Sequence, residues 1–216
     1  MQQYIFGYGS LIELASRLRT APDAKDVLPA RVHGYARGWW ARTGAIGFTT
    51  TFVGAIPQPS STINGVVYAV SDKDLKASDD REEGYVRMDA AKYGAVEILS
   101  GGVAPEGDIW LYVNDFTKGK KREDSLPTAQ IPIVQSYVDI CLTGCLQIQE
   151  QFPSAGEFAR EFIETTEEWS KYWENDRVNA RRPFVTVPKF WTIDHLLQKH
   201  LPDLFNAIQL APGRWE

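Results

Sequence analysis

Cysteine and histidine are scarce in this chain. Only Cys141 and Cys145 and the scattered His33, His195 and His200 are present among 216 residues. The two cysteines lie in an apolar stretch with helical spacing, where small core residues are a better reading than a disulfide. No Cys/His cluster has zinc spacing, and no glycine-rich loop has Walker or dinucleotide-binding form. The expectation is chemistry without a metal or a nucleotide cofactor. A basic excess is also missing: 23 Lys and Arg stand against 28 Asp and Glu, a net charge of −5. That balance argues against a nucleic-acid partner. No run approaches the roughly 20 apolar residues of a membrane span. The opening "MQQYIFGYGSL" lacks the basic start and long apolar run of a signal peptide. The reading is a soluble, cytoplasmic protein with a small-molecule partner and no membrane partner. The oligomeric state is left open.

Aromatic residues, by contrast, are plentiful: seven Trp and ten Phe supply a core, and hydrophobic residues make up 44% of the chain. The length favours one domain, possibly with an appendage. Residues 1–116 read mainly as strands. "YIFGYG", "RVHGYARGWWAR", "GFTTTFVGAI", "INGVVYAV" and "IWLYVND" are β-branched or aromatic runs separated by Gly, Pro, Ser and Asn. Few helices intervene, which points to a mostly antiparallel sheet or barrel. Residues 117–132 are polar, carry Pro127 and Pro132, and read as a linker or mobile loop. From 133 to 216 the apolar spacing becomes helical, a C-terminal extension packed on the same domain.

Two short stretches carry chemistry. The first is "FGYGSL", Phe6 to Leu11, after the opening strand. Glycines flanking Tyr8 permit a sharp turn with exposed N–H groups, and Ser10 can cap a helix starting at Leu11. Such a junction suits an anion or a polarised carbonyl oxygen. A tight turn with a packed tyrosine is the plainer alternative. The second stretch is "SDDREEGYVR", Ser78 to Arg87. Ser71 and Asp74 form a capping-box-like start to a helix from about Asp72 to Glu82, with Gly84 at its end and Tyr85 opening the next strand. The acids of such a helix end are normally solvated.

Taken together, "YGSL" followed by "D-x-R-E-x-G-Y-x-R" resembles the γ-glutamylcyclotransferase-like family, which includes γ-glutamylamine cyclotransferases and ChaC-type enzymes. "RVHGYARGWWAR" and "TFVGAIPQPSSTINGVVYAVSDKDL" share the likeness, which covers residues 3–115. The chain departs from the family at Ser78, where leucine is usual, and in a tail from Gln130 that is longer than in compact members. The resemblance implies an α+β, mostly antiparallel, β-barrel-like fold with a helical C-terminal extension. It implies an enzyme of lyase or acyltransferase type that closes a γ-glutamyl amide to 5-oxoproline, as in glutathione metabolism, without a cofactor. Glu82 would be the general acid/base; aligning on "E-G-Y" would move that role to Glu83. Tyr8, Gly9, Ser10, Leu11 and Tyr85 would bind substrate, with Arg87 nearby. Arg81 would oppose a raised Glu82 pKa, so it is expected to point elsewhere, onto Asp79 or a backbone carbonyl. Arg177, Arg181 and Arg182 read as a charged surface, with binding of a substrate carboxylate as the alternative. A non-catalytic binding module on the same fold, or hydrolysis in the same pocket, is the competing reading. The leaving group stays open.

Overall fold

The computed structural model describes residues 1–42, 50–82, 85–116 and 121–211. Gln3–Gly7 forms β1, a 3-10 turn spans Ser10–Ile12, and Leu14–Leu18 forms α1. Leu28–Arg42 is β2 and Thr51–Val70 is β3. Asp72–Arg81 is α2, followed by β4 at Tyr85–Asp89, β5 at Val96–Ile98 and β6 at Asp108–Asn114. The remaining elements are β7 (Ile133–Val134), α3 (Gln135–Gln151), α4 (Phe158–Thr165) and β8 (Thr166–Glu167). They continue with β9 (Trp173–Asn175), α5 (Phe190–His200), α6 (Pro202–Asn206) and β10 (Gln209–Leu210).

The long ladders are antiparallel, as the strand-rich pattern predicts: β2 with β3, β1 with β3, and β4 with β6. The β2–β3 ribbon bends at a bulge between His33 and Tyr35, where Gly34 takes φ 86°. A side chain there would also run into Tyr93, so this position needs glycine. The barrel-like closure is a point of correction. The sheet is large but open among the described residues. The outer edge of β2 is taken by β5 and by β8, so β4 at the other end finds no partner there to close the ring.

The segment after residue 132 holds the expected helices but also four short strands. β7 joins β3, β8 joins β2, and β9 and β10 continue outward from β7, all in parallel. Strands of two or three residues are set by the edge they meet, and composition does not announce them. The linker reading of 117–132 falls partly on residues 117–120, outside the described residues. Of the rest, Arg122 lies over Trp40 and pairs with Glu168, and Leu126 O accepts from Arg42.

The strand alternation sorts side chains onto two faces. Phe6, Tyr8, Val67, Ile109, Leu111 and Val113 share one core. Ile5, Val66, Tyr68 and Tyr112 enter the other, which the helices cover with Tyr137, Cys141, Leu142, Phe158 and Phe162. Trp169 stacks on Trp173 and meets Trp39 at a tilt, each at a centroid distance of 5.0 Å. Both cysteines are free and buried, as read from sequence.

Arg37 ties these layers together. It is fully buried, with Nε on Thr166 Oγ1 and Nη1 on the carbonyls of Tyr8 and Asn64. Nη2 reaches Asn64 Oδ1, Phe162 O and Thr165 Oγ1, and the guanidinium sits 3.8 Å from the Phe162 ring centroid. Burial pushes its pKa down to about 10, so it stays charged at neutral pH. Neutral oxygens from β1's loop, β3 and α4 satisfy that charge.

Candidate active site

Glu82 is set by its backbone. Ser71 caps α2 through Asp74 N–H at 3.1 Å, and the Ser71 hydroxyl returns a bond to Asp74 Oδ2 at 2.7 Å. Leu75 and Ser78 form the buried stripe of the helix, and Ser78 Oγ bonds Asp74 O. Glu82 is the C-terminal cap. Its N–H donates to Ser78 O at 2.9 Å, and its carbonyl accepts from Tyr85 N–H at 3.0 Å. These two bonds fix the residue between α2 and β4. Glu83 and Gly84 lie outside the described residues.

The other acids of the run have different fates. Asp79 accepts from Arg87 at 2.9 Å and from the Tyr112 hydroxyl at 2.8 Å, and Asp80 is exposed. Glu82 turns inward, with its side chain only 20% exposed. Its field acts on the hydroxyls of Tyr8, Tyr68, Tyr85 and Tyr112, each of which burial holds above the usual tyrosine pKa. These tyrosines are neutral at physiological pH. The Glu82 carboxyl is itself pushed up, chiefly by desolvation, against the opposing pull of Arg81 and then Arg182.

Arg81 does not point away from Glu82 as expected. Its Nε lies 3.6 Å from Glu82 Oε1, while Nη1 donates to Thr20 Oγ1. The reason is the short α2 C-terminus, where adjacent side chains share one edge. The separation is too long for a direct hydrogen bond and Arg81 is one-third exposed, so desolvation of Glu82 still wins. Asp79, the partner foreseen for Arg81, is held by Arg87.

The "YGSL" loop lies beside this carboxylate. Tyr8 is buried and donates to Tyr112 O at 2.6 Å. The N–H groups of Tyr8 and Gly9 find no protein acceptor among the described residues. Ser10 is buried but does not cap a helix: Gly9 precedes the 3-10 turn, and α1 begins only at Leu14. Glu13 is the cap, accepting from Ser16 N–H at 2.6 Å. The shift removes a helix dipole from Leu11, so the loop's anion affinity rests on its own N–H groups. Leu11 is half-buried against Gly7.

Three neighbours were not evident from sequence. Tyr137 of α3 places its hydroxyl 3.0 Å from where a Cβ on Gly9 would stand, with Val53 Cγ2 at 2.8 Å on the same side. Asn114, across the ladder from Tyr85, has a buried Oδ1 with no hydrogen-bond partner among the described residues. Arg182, read as a surface charge, acts on Glu82 and Tyr137. Arg177 and Arg181 do not join them: Arg177 is held by Asp139 and Asp194, and Arg181 pairs with Glu174. His33 meets Thr62 and Glu97 on β2's outer face. Among the described residues no group of His, Cys, Asp or Glu is arranged to hold a metal, and no helix is long and apolar enough to cross a membrane.

The sequence and the fold have counterparts among known proteins. The sequence model of the AIG2-like γ-glutamyl cyclotransferases matches residues 5–129, more than half of the chain. The chain belongs to that family. Its fold is similar to a solved γ-glutamyl cyclotransferase at 17% identity and TM-score 0.50, covering 71% of this chain and 87% of that one. It is also similar to the human protein loc79017 at 17% identity and TM-score 0.53, covering 74% and 86%. YkqA of Bacillus subtilis matches at 17% identity and TM-score 0.51, over 76% of this chain and 55% of that one. No curated protein matches the chain in sequence.

Proposed function

We propose that the protein is a γ-glutamyl cyclotransferase that releases 5-oxoproline from a γ-glutamyl amide, with Glu82 as general acid and base. The observation that carries this reading is the inward Glu82 carboxylate, desolvated among tyrosines and beside the "YGSL" loop. A carboxylate with a raised pKa is a better proton acceptor than an exposed one.

The substrate's α-amine is mostly protonated at neutral pH and must lose a proton before it attacks. Glu82 accepts it. The amine nitrogen then bonds to the γ-carbonyl carbon, and the carbonyl electrons move to oxygen. The N–H groups of Tyr8 and Gly9 meet that oxyanion; one such donor is worth about 3 kcal/mol. Collapse breaks the amide C–N bond. Two protons leave the attacking nitrogen and two reach the departing one, each relayed by Glu82. The products are 5-oxoproline and a free ammonium, and charge is conserved. Tyr85 walls the site, and Asn114 Oδ1 is a neutral acceptor for the α-amine.

The test is product analysis by mass spectrometry with glutathione, γ-glutamyl-alanine and γ-glutamyl-ε-lysine. Wild type should form 5-oxoproline, and Glu82→Gln should lose about 10²-fold or more of that activity, the usual range for acid–base catalysis. Loss only in Glu83→Gln would transfer the role by one residue. Glutamate as the product would mean hydrolysis. Binding of 5-oxoproline without turnover would mean a non-catalytic module.

A further inference from the structure

The "YGSL" turn has its backbone polarity sorted. The N–H groups of Tyr8, Gly9, Ser10 and Leu11 donate to no protein acceptor among the described residues, whereas every carbonyl from Tyr8 to Ile12 accepts a hydrogen bond. Gly9 O accepts from Ile12 N–H at 3.0 Å and Ser10 O from Glu13 N–H at 3.2 Å. The other three carbonyls are taken by two buried arginines from different elements. Arg37 of β2 donates from Nη1 to Tyr8 O at 3.1 Å. Arg17 of α1 donates from Nη1 to Leu11 O at 3.1 Å and to Ile12 O at 3.0 Å, with Nε on Ala24 O at 2.8 Å.

Peptide planarity turns these bonds into aim. No peptide bond among the described residues is cis. In a trans peptide the C=O of one residue and the N–H of the next point in opposite directions. Fixing Tyr8 O therefore fixes Gly9 N–H. Fixing Gly9 O fixes Ser10 N–H, and fixing Ser10 O fixes Leu11 N–H. The donors to Gly9 O and Ser10 O are the N–H groups of Ile12 and Glu13, which lie in the peptides whose carbonyls Arg17 holds. Each chain of bonds starts at a buried guanidinium and ends at an N–H without a protein acceptor. A charged donor on a carbonyl also polarises its peptide, and the polarisation passes along the chain. Glu13 offsets the charge of Arg17, so Arg17 acts chiefly by geometry. Every hydrogen-bond partner of Arg37 is a neutral oxygen. A charge buried in this way costs more desolvation than an apolar residue of the same size, which points to a use for it beyond packing.

We propose that Arg37 and Arg17 are positioning residues: they hold the carbonyl side of the turn so that its N–H groups face the substrate. This rests on the cyclotransferase reading of the same loop. Gly9 N–H meets the oxyanion in that reading, and the oxyanion exists only after attack, so Arg37 acts on turnover. Ser10 and Leu11 N–H are left for the glutamyl group in the ground state, so Arg17 acts on substrate binding. The fork of Arg37 is itself held by Phe162 O, Thr165 Oγ1 and Thr166 Oγ1, all beyond the residues matched by the family. The C-terminal segment thereby reaches the chemistry through one side chain.

The test compares Arg37→Gln, Arg17→Gln and Leu197→Ala on γ-glutamyl-alanine, with rates corrected for the folded fraction from urea unfolding. Leu197 is fully buried in α5, so Leu197→Ala reports what lost stability alone does. Arg37→Gln should lose about tenfold or more in kcat with KM near wild type, and Arg37→Lys should recover part of it. Arg17→Gln should raise KM about threefold or more with a smaller change in kcat. If Arg37→Gln does not fold, Arg37→Lys is read against wild type, with a lower kcat and an unchanged KM expected. Constants per folded molecule equal to those of Leu197→Ala overturn the proposal, as does an exchange of the two effects between the arginines. Without substrate, the Gly9 amide proton in proton–nitrogen correlation spectra should move upfield in the Arg37 variants and stay in place in Leu197→Ala. If wild type forms no 5-oxoproline, the cyclotransferase reading fails and this shift alone decides whether Arg37 sets the Gly9 N–H. A Gly9 signal that is unmoved, or that moves equally in Leu197→Ala, overturns that role.

Discussion

Two groups of residues surround Glu82, and they differ in how they are held. The first comprises two short stretches, Tyr8 to Leu11 and Glu82 with Tyr85, each shaped locally, one by a turn and the other by a helix end. Backbone bonds a few residues apart set its geometry, as in the Ser78–Glu82–Tyr85 relay. The second, Tyr137 and Arg182, comes from α3 and the segment after β9. Its geometry depends on contacts between distant segments, such as Ser136 with Asp176 and Arg37 with Thr166. On the proposed reading, the chemistry rests on two short motifs, whereas the shape of the space around them depends on the C-terminal segment. Damage to the first group should stop the reaction; damage to the second should change its partners or its stability.

The largest expected effect separates activity from stability. Glu82→Gln should cost about 10²–10⁴-fold in turnover. Its stability should not fall. The folded-state pKa of Glu82 lies above the unfolded value, so burial of the carboxylate costs nothing while both states are protonated. As pH rises past the unfolded pKa, wild type loses stability relative to Glu82→Gln. Thermal melts of both proteins across that window should converge at the acid end and diverge, with the variant more stable, towards neutral pH.

Next in size is Arg37→Leu. It strands oxygens from β1's loop, β3 and α4, and should destabilise the fold by about 3 kcal/mol or more, read by urea unfolding. Loss of activity without loss of stability would show that Arg37 acts only through Tyr8.

Gly9→Ala joins the two groups directly, since the new Cβ would press on Val53 and on the Tyr137 hydroxyl. About a tenfold loss in kcat/KM is expected, in line with the sensitivity of reacting geometry to small displacements. In a double-mutant cycle, Tyr137→Phe should relieve part of that loss. Strict additivity would mean that the two residues do not communicate.

The smallest effect concerns Arg81→Gln. Removing a charge that pulls the Glu82 pKa down should move the acid limb of the pH–rate profile to higher pH. Wild-type activity itself should rise with pH through the Glu82 pKa, above the ordinary carboxylate range. A shift to lower pH in Arg81→Gln would contradict the electrostatic account of the site.

Much of the first group was legible because its signals are short-range. Glycines on both sides of Tyr8 mark a sharp turn, and Ser71 three residues before Asp74 marks the start of α2. Ser10 misled because a serine before an apolar run is a common cap; the 3-10 turn delayed the helix until Glu13 could serve. Arg81 misled because neighbouring residues at a helix end need not diverge. β7 to β10 were not legible, being two- or three-residue strands whose partners are far away in the chain.

What the amino-acid order determined by itself is the strand-rich body, the glycine loop, the capped helix and the carboxylate at its end. Each follows from dihedral preference, capping or two-residue alternation, all of which act over a few residues. Only the tertiary structure decided that the sheet stays open, that Arg37 lies at the centre of the fold and that Arg177 and Arg181 pair with acids while Arg182 lies over Phe52. Those outcomes depend on which distant groups satisfy each buried charge, and three arginines within six residues look alike until their partners are in place.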